Sequence, residues 1–231
     1  MKEKENSERP MLRFHKLRLW LAWIGGVFLF LSSQPSNRGF RIGIPITLAG
    51  MLMRIWASGF IERKNRKLAT AGPFAHVRNP LYVGNFLIGL GIVAIVQNWL
   101  TAIVFLVGFV ILCRGTVLKE EGELAGRFGE PYQAYIKAVP RFFPRLTAYP
   151  GHEKTRFEWK LLLKHREIET LLGILLLMTG LYLWEEMVLK GRFLWKEKVG
   201  IVVALGLIVG LIVERALRHY QKSLLPDVVV L

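Results

Sequence analysis

Cysteine is nearly absent from this chain of 231 residues, which contains only Cys113. A single thiol cannot form an intramolecular disulfide, and Cys113 lies in an apolar run, so we expect it to be buried and inert. Histidine is also scarce, and the five histidines are scattered without the spacing of metal ligands. The sequence therefore predicts neither a disulfide scaffold nor a zinc site, and no metal is expected.

Acidic residues are outnumbered by basic ones, 17 to 32, which gives a formal net charge of +15. The chain is also 52% hydrophobic, with a mean hydropathy of +0.35. Soluble domains rarely combine so large a positive charge with so high a hydrophobic content. Charges are missing from several long apolar runs and are concentrated between them. A bilayer requires this segregation, because each spanning helix satisfies its backbone hydrogen bonds internally. Positive charge beside such runs fits cytoplasmic loops and anionic lipid head groups, and we expect no nucleic-acid partner.

Six apolar stretches predict an all-α, polytopic integral membrane protein with about six transmembrane helices. They are Leu17–Ser33, Ile42–Phe60, Leu81–Gln97, Trp99–Leu118, Ile168–Glu186 and Val199–Val213. The third and fourth stretches are separated only by a turn at Gln97 and Asn98, so they should form an antiparallel hairpin. Both carry small residues that would let them pack closely together, namely Gly84, Gly89, Gly91 and Gly108.

The distribution of lysine and arginine predicts the orientation of these spans. Basic residues precede the first span, and they fill the connections that alternation places on the same side: residues 61–80, 119–166 and the C-terminal segment. We therefore expect both termini in the cytoplasm and the protein in the plasma membrane, the inner membrane of a bacterium. Basic residues before the last span run against this rule, namely Lys190, Arg192, Lys196 and Lys198.

Turn-forming and polar residues gather between the second and third spans, from Leu68 to Asn85. The pairs Gly72-Pro73 and Asn79-Pro80 each predict a turn, and Pro80 suits the first turn of a helix. Backbone donors at a helix N-terminus favour an anionic group such as a carboxylate. A simple connecting loop with a helix cap explains the same spacing equally well.

Glu120 and Glu121 form a carboxylate pair just beyond the fourth span. One interpretation is a solvated helix face with Lys119 and Arg127 as ion-pair partners. The other is a functional site in which a carboxylate binds a cation or sugar hydroxyls. The helical hairpin would bring this pair to the same membrane face as the turn at Arg78–Tyr82, so both would line a single pocket.

The region after the fourth span predicts two helices outside the membrane. The first, Val117–Phe128, continues the fourth span and should end at Gly129 and Pro131. The second, Tyr132–Val139, should end before Pro140, which disfavours helical backbone in the residue that precedes it.

Several short motifs between Gly50 and Pro144 keep a particular order and spacing. They are Thr70-Ala71-Gly72-Pro73-Phe74, Arg78-Asn79-Pro80-Leu81-Tyr82-Val83-Gly84, Gly89-Leu90-Gly91, Glu120-Glu121, Phe128-Gly129-Glu130-Pro131-Tyr132 with Tyr135, and Val139-Pro140-Arg141. Together they resemble the membrane methyltransferases that include isoprenylcysteine carboxyl methyltransferase and phosphatidylethanolamine N-methyltransferase. The resemblance implies S-adenosylmethionine as cofactor, bound at the cytosolic end of the hairpin and covered by the segment after the fourth span.

The resemblance also implies a set of residues around that cofactor: the backbone of Arg66, Lys67, Leu68 and Ala69, and the side chains of Phe74, Asn79, Pro80, Leu81, Tyr82 and Glu120. By the phospholipid-enzyme pattern, Gly89 and Gly91 permit close approach of the cofactor, and Glu121 joins in holding its polar end. Arg114 and Arg141 are the residues expected to position an anionic acceptor head group.

Three positions depart from the carboxyl methyltransferases. Asn79 stands where they have His, Phe74 where they have Tyr, and Thr116 where they have an Arg on the substrate side. Asn still donates and accepts hydrogen bonds, whereas loss of the Arg removes a partner for a carboxylate. The cofactor site is therefore expected to persist, and a prenylcysteine substrate is not implied.

The sequence thus predicts a methyltransferase that uses S-adenosylmethionine and acts on a lipid-like or membrane-associated carboxylate, thiol or amine. Residues 1–16 would form a cytosolic segment, 17–149 the membrane methyltransferase core, and 150–231 an extension with two further spans. One alternative is a transporter or scaffold that binds an anionic solute, although the repeats and midplane charges typical of transporters are missing from the sequence. Another is a family member that binds the cofactor without turnover.

Overall fold

The computed structural model describes residues 31–61, 68–151, 155–164, 167–192 and 195–224. Within these ranges the regular elements are all helical, which confirms the predicted all-α class. The α-helices are α1 (Asn37–Ser58), α2 (Pro80–Val96), α3 (Trp99–Phe128), α4 (Glu130–Ala138), α5 (Trp159–Lys164), α6 (Glu167–Leu183) and α7 (Trp195–Leu224). A 3₁₀ turn, Gly72–Ala75, precedes α2, and a π-helical segment, Trp184–Leu189, extends α6.

Three helices in the described part of the chain are long and apolar enough to cross a membrane: α1, α3, and α6 with its π-helical extension. Helix α2 is apolar but has only 17 residues, near the lower limit for a span. Helix α7 contains the predicted stretch Val199–Val213, and the predicted span Leu17–Ser33 lies almost wholly outside the described residues. The helices agree with an integral membrane protein, and six spans stay a prediction.

The predicted hairpin of α2 and α3 is formed, with its turn at Gln97 and Asn98. Gln97 adopts a left-handed backbone conformation with φ of 51°. The Asn98 side-chain oxygen caps α3 by accepting hydrogen bonds from the backbone N–H groups of Leu100 and Thr101, at 2.9 and 3.1 Å. Two residues therefore suffice to reverse the chain, because one bends it and the other begins the next helix.

The end of α3 also follows the sequence closely. The helix continues to Phe128 and stops at Gly129, where φ is +56°, a conformation that glycine adopts readily. Helix α4 begins at Glu130, two residues before the predicted start, because Pro131 lies in its first turn, where the missing N–H has no helical partner to lose.

The closest helix packing joins α1 to α2. A Cβ atom added to Gly84 would lie 2.9 Å from the carbonyl oxygen of Gly50, and one added to Gly91 would lie 2.6 Å from that of Gly43. The two backbones therefore touch, as small residues allow in membranes. The expectation that these glycines pack α2 against its hairpin partner is wrong for Gly84 and Gly91, whose free sides face α1.

The hairpin partners α2 and α3 meet through aromatic rings. Phe86 lies 5.1 Å from Phe109 and 6.0 Å from Phe105, measured between ring centroids. Gly89 faces the ring of Phe105, so this one glycine does pack the hairpin. Gly108 has open space around it in the described structure, contrary to its predicted packing role.

Helix α6 lies against the α1–α2 pair. Ile174 packs with Met51 of α1 and Ile88 of α2, and Leu181 packs with Ile95 and Val96 of α2. Helix α6 of the C-terminal region is therefore in direct contact with α2, which carries part of the family-like motifs.

Candidate functional site

The connection before α2 lies against the segment that follows α4. The Arg78 N–H donates to the Pro140 carbonyl at 2.9 Å, and the Tyr149 N–H donates to the Ala75 carbonyl at 2.9 Å. The His76 carbonyl accepts from a backbone N–H of the same segment at 3.0 Å. Motifs that are about 60 residues apart in sequence are thereby brought side by side.

Tyr135 of α4 fixes the 3₁₀ turn before α2. Its hydroxyl donates to the Phe74 carbonyl at 2.7 Å, in a buried position. Tyr135 also packs with Tyr132 and Val139, and Leu68 lies against the same cluster. Burial raises the pKa of Tyr135 above its ordinary value of 10.0, because the phenolate would be poorly solvated there. This aromatic group covers the connection in which the predicted cofactor residues lie.

Glu121 holds three side chains together at the end of α3. Its carboxylate oxygens accept from Arg141 Nε at 3.0 Å and Nη2 at 2.6 Å, and Arg78 Nη1 donates at 3.1 Å. Asn79 Nδ2 lies 3.5 Å from Glu121 and donates to the Arg141 carbonyl at 3.4 Å. Hydrogen bonding to Glu121 raises the pKa of Arg141. We call Glu121, Arg78, Asn79 and Arg141 the Glu121 cluster.

Glu120, the neighbour of Glu121, has a different environment. One of its carboxylate oxygens accepts a hydrogen bond from the Tyr82 hydroxyl at 3.1 Å. Its side chain is exposed, and no basic side chain in the described ranges forms an ion pair with it. Glu120 therefore retains acceptor capacity for a ligand, whereas Glu121 is occupied by two guanidinium groups.

The structure does not support the interpretation in which Glu120 and Glu121 lie on a solvated helix face and pair with Lys119 and Arg127. Lys119 reaches Glu123 at 4.0 Å, and the Arg127 guanidinium lies 5.4 Å from the ring centroid of Phe128. Glu121 instead contacts Arg78 and Asn79 before α2, and Glu120 contacts Tyr82 in the first turn of α2. The predicted gathering of the two clusters at one end of the hairpin is thus present in the structure.

The other predicted cofactor residues have varied positions. Arg66 and Lys67 lie outside the described residues. Pro80 is buried, and Ala69 and Leu81 are half-buried. Gly91 is in contact with α1 and Gly89 with Phe105, so packing accounts for both glycines. Their contact with a cofactor stays a prediction.

The two predicted acceptor-positioning residues are not equivalent. Arg141 is bound by both oxygens of Glu121. Arg114 is exposed two turns before Glu121 on α3, and no acidic side chain of the described residues lies within ion-pair distance. Of these two residues, Arg114 is therefore the one whose guanidinium is available to an anionic group.

Sequence reasoning missed the role of Arg78, which it used only as part of a motif. The signal was present, since Arg78 directly precedes Asn79-Pro80 and an acidic pair was expected at the same membrane face. It also missed Arg54 of α1, which pairs with Glu167 of α6 across 113 positions of sequence. No local pattern indicates that pair.

The polar side chains of Glu120 and Tyr82 suit part of S-adenosylmethionine. Glu120 with Tyr82 offers a carboxylate and a phenol at one place, which suits an ammonium group or ribose hydroxyls. The aromatic residues of α4 offer apolar cover over Leu68 and the turn at Phe74. These groups are chemically suited to the cofactor that the resemblance implies.

Comparison with known proteins gives several matches. The chain is 34% identical over 111 residues to the cobalt-zinc-cadmium resistance protein CzcN of Cupriavidus metallidurans, covering 48% of this chain and 50% of the relative. It is 30% identical over 144 residues to the nickel-cobalt-cadmium resistance protein NccN of Alcaligenes xylosoxydans xylosoxydans, covering 58% and 67%. It is 33% identical over 122 residues to the protein-S-isoprenylcysteine O-methyltransferase of Schizosaccharomyces pombe, covering 51% and 52%.

The chain thus spans about half the length of two of these relatives and two thirds of the third. No solved structure matches it. The sequence profile of the isoprenylcysteine carboxyl methyltransferase (ICMT) family matches residues 44–126, which include Tyr82 and both glutamates. The chain belongs to this ICMT-like family.

Proposed function

We propose that this protein is a membrane methyltransferase that uses S-adenosylmethionine and methylates a lipid-like or membrane-associated acceptor. The hydrogen bond between Tyr82 and Glu120 carries the proposal, because it joins two family-matched residues from different helices at one end of the hairpin. Glu120 remains exposed and can accept further hydrogen bonds from a ligand. In this proposal the site lies on the cytoplasmic side of the inner membrane, in keeping with the distribution of basic residues.

When bound, S-adenosylmethionine supplies an electrophilic methyl group on a sulfonium centre. Glu120 and Tyr82 bind the polar end of the cofactor and so fix its position relative to the acceptor. Methyl transfer depends mainly on such positioning, since the two reacting atoms must be aligned. A thiolate or carboxylate acceptor arrives with its charge in place and requires no base from the protein.

The tyrosine cluster of α4 supplies the cover of the site. Tyr132 and Tyr135 are buried against Leu68 and the turn at Phe74. The Glu121 cluster fixes the other end of the same cover, because Arg141 belongs to the segment after α4 and Arg78 to the turn before α2. Together these contacts hold the cover against the turn before α2.

The acceptor is proposed to approach from the membrane along α3. Arg114 lies on this helix with an exposed guanidinium, and it is suited to bind a carboxylate or phosphate on the acceptor. Thr116, which replaces the family's substrate-side Arg, donates to the carbonyl of Leu112 at 2.9 Å and offers no charge. Because Arg114 and Thr116 are two residues apart, their side chains lie on different faces of α3, and an anionic group held by Arg114 would bind at a different position from the one in the carboxyl methyltransferases.

Calorimetric titration with S-adenosylhomocysteine tests the proposed function. Glu120→Ala should weaken binding at least tenfold, or about 1.4 kcal/mol. Glu123→Ala is a matched control, because Glu123 lies on the same helix, is exposed and contacts only Lys119 at 4.0 Å. Absence of binding by folded wild-type protein in lipid nanodiscs would rule the proposal out.

The names of two relatives favour a second candidate, a part in resistance to cobalt, zinc, nickel or cadmium. Among the described residues, no group of three or more His, Cys, Asp or Glu could hold a metal ion. A strain lacking the gene should be grown on these metals and complemented with wild type or Glu120→Ala. Rescue by wild type alone would connect resistance with the cofactor site, whereas rescue by both would favour a transporter or scaffold.

A further inference from the structure

A groove between α1 and α6 has no part in the proposed reaction. It lies at the N-terminal end of α1, whereas the candidate site adjoins the C-terminal end of that helix. Its volume is about 710 Å³, within the range of small-molecule sites. The walls are apolar, formed by Phe40, Ile44, Met178 and Tyr182. Because α1 and α6 are both candidate spans, a groove between them lies at membrane depth.

Arg41 gives this apolar groove a positively charged end. Its Nε donates to the carbonyl of Asn37 at 3.4 Å, and the residue is exposed. Across the described ranges, no acidic side chain forms an ion pair with Arg41. Glu185 and Glu186, which follow the groove residue Tyr182 in the chain, are both paired with Lys190, at 2.7 and 2.6 Å. The guanidinium is therefore left to a partner from outside this part of the chain.

Pro45 adds a second polar feature at the same place. It lies inside α1 and lines the groove. Proline has no backbone N–H, so the carbonyl of Arg41 lacks its usual helical donor. The charged end of the groove thus combines a guanidinium donor with a carbonyl acceptor, next to the side chain of Asn37.

We propose that the groove binds one phospholipid with an anionic head group. The phosphate contacts Arg41 and Asn37, and an acyl chain lies along the walls formed by Phe40, Ile44 and Met178. Guanidinium groups bind phosphate with charge-assisted hydrogen bonds, and a lipid head group is the anion available where a charged residue lies at the end of a span. A glycerol hydroxyl of the head group would donate to the Arg41 carbonyl, which lacks its usual helical donor because of Pro45. This lipid site is independent of the proposed methyl transfer.

Retention of lipid by the purified full-length protein tests this proposal. The protein is incorporated into nanodiscs with equal amounts of phosphatidylglycerol, phosphatidylethanolamine and phosphatidylcholine, and is then released and weighed by native mass spectrometry. Wild type should retain one phosphatidylglycerol per chain. Arg41→Gln should lower the retained fraction at least fivefold, and Arg41→Lys should restore most of it, since a cation is again present.

Two further variants make the test specific. Ile44→Trp fills the groove without changing its charge and should also release the lipid, so it serves if Arg41→Gln does not fold. Arg192→Gln removes an exposed arginine at the same end of the protein, outside the groove, and should leave retention unchanged. Equal retention of all three lipids, undiminished retention in Arg41→Gln and Ile44→Trp, or a mass that shows a second protein chain in place of lipid would each overturn the proposal.

Discussion

Two glutamates in the described part of the chain bind arginines, and their environments differ. Glu121 joins Arg78 and Arg141, which belong to connecting segments, and its side chain is 13% exposed. Glu167, at the start of α6, binds Arg54 of α1 through both carboxylate oxygens, at 3.0 and 2.8 Å, and is 2% exposed. One cluster lies at the edge of the candidate site, and the other lies among packed helices.

The difference indicates separate roles. The third nitrogen of Arg54 donates to Asn85 of α2, so one guanidinium joins α1, α2 and α6. An ion pair withdrawn from water is maintained only when its hydrogen bonds are satisfied, and the loss of one partner leaves a buried charge. The Glu121 cluster has access to water and joins two loops that must admit a cofactor. Glu167 therefore supports the architecture, and Glu121 supports the site.

The largest expected effect follows from Glu167→Ala. Because the Arg54 side chain is only 14% exposed and would lose its counter-charge, the free energy of unfolding should fall by about 3 kcal/mol or more. Unfolding in detergent by a chemical denaturant measures this. The double variant Arg54→Met with Glu167→Leu removes both charges and should recover most of the loss. A decrease below 1 kcal/mol for Glu167→Ala would show that the pair is not isolated from water.

Glu121→Ala should have an intermediate effect. It removes charge-assisted hydrogen bonds to Arg78 and Arg141, which are worth about 1.5–3 kcal/mol in proteins, at the lower end for a site that water reaches. Binding of S-adenosylhomocysteine should weaken as well, because the turn and the cover are no longer held together. If stability falls while binding is unchanged, the cluster has no influence on the site.

Tyr135→Phe should lower stability by about 1 kcal/mol, since the Phe74 carbonyl loses its buried donor. The same residue predicts a dependence on alkaline pH. Its folded pKa is raised by burial above the ordinary 10.0, so its contribution is fully present below pH 10 and is lost as pH rises through the folded pKa. Thermal unfolding between pH 9 and 11.5 should show a smaller decrease in the variant than in wild type. If the stability of both proteins falls equally with pH, ionisation of Tyr135 is not the cause of the alkaline loss of stability.

Glu123→Ala should have the smallest effect. The pair with Lys119 is exposed at both ends and 4.0 Å long, and such pairs contribute 0–1 kcal/mol. Both the unfolding midpoint and the affinity for S-adenosylhomocysteine should match those of wild type. A measurable loss of affinity would indicate that charge anywhere on this face affects binding, and that Glu120 is not specific.

The sequence predicted local features better than contacts between distant residues. The ends of α2 and α3 were correct to within one residue where turn and cap residues marked them, and Gly129 ended α3 as expected. Helix α1 began five residues earlier than predicted, because Ser36 caps it and its first turns include the polar residues Asn37, Arg38 and Arg41. Hydrophobicity alone gives the apolar part of a helix and not its ends.

The sequence pattern did not predict which helix or side chain each residue contacts. Glycines on α2 indicated a close helix neighbour but not which one, and α1 proved to be that neighbour of Gly84 and Gly91. The pairing of Glu121 with Arg141 joins residues 20 positions apart, and that of Arg54 with Glu167 joins residues 113 apart. Such pairs depend on how helices and loops are arranged in three dimensions, which charge counts do not specify.

A comparison of Glu120 with Glu123, three residues further along α3, gives the most direct test of the proposed function. S-adenosylhomocysteine binding and unfolding stability would be measured together for wild type, Glu120→Ala and Glu123→Ala in the same nanodiscs. We predict that Glu120→Ala loses at least tenfold in affinity with an unchanged unfolding midpoint, whereas Glu123→Ala keeps both. Saturable wild-type binding that Glu120→Ala leaves intact, or no binding by folded wild type, would contradict a cofactor site at Tyr82 and Glu120.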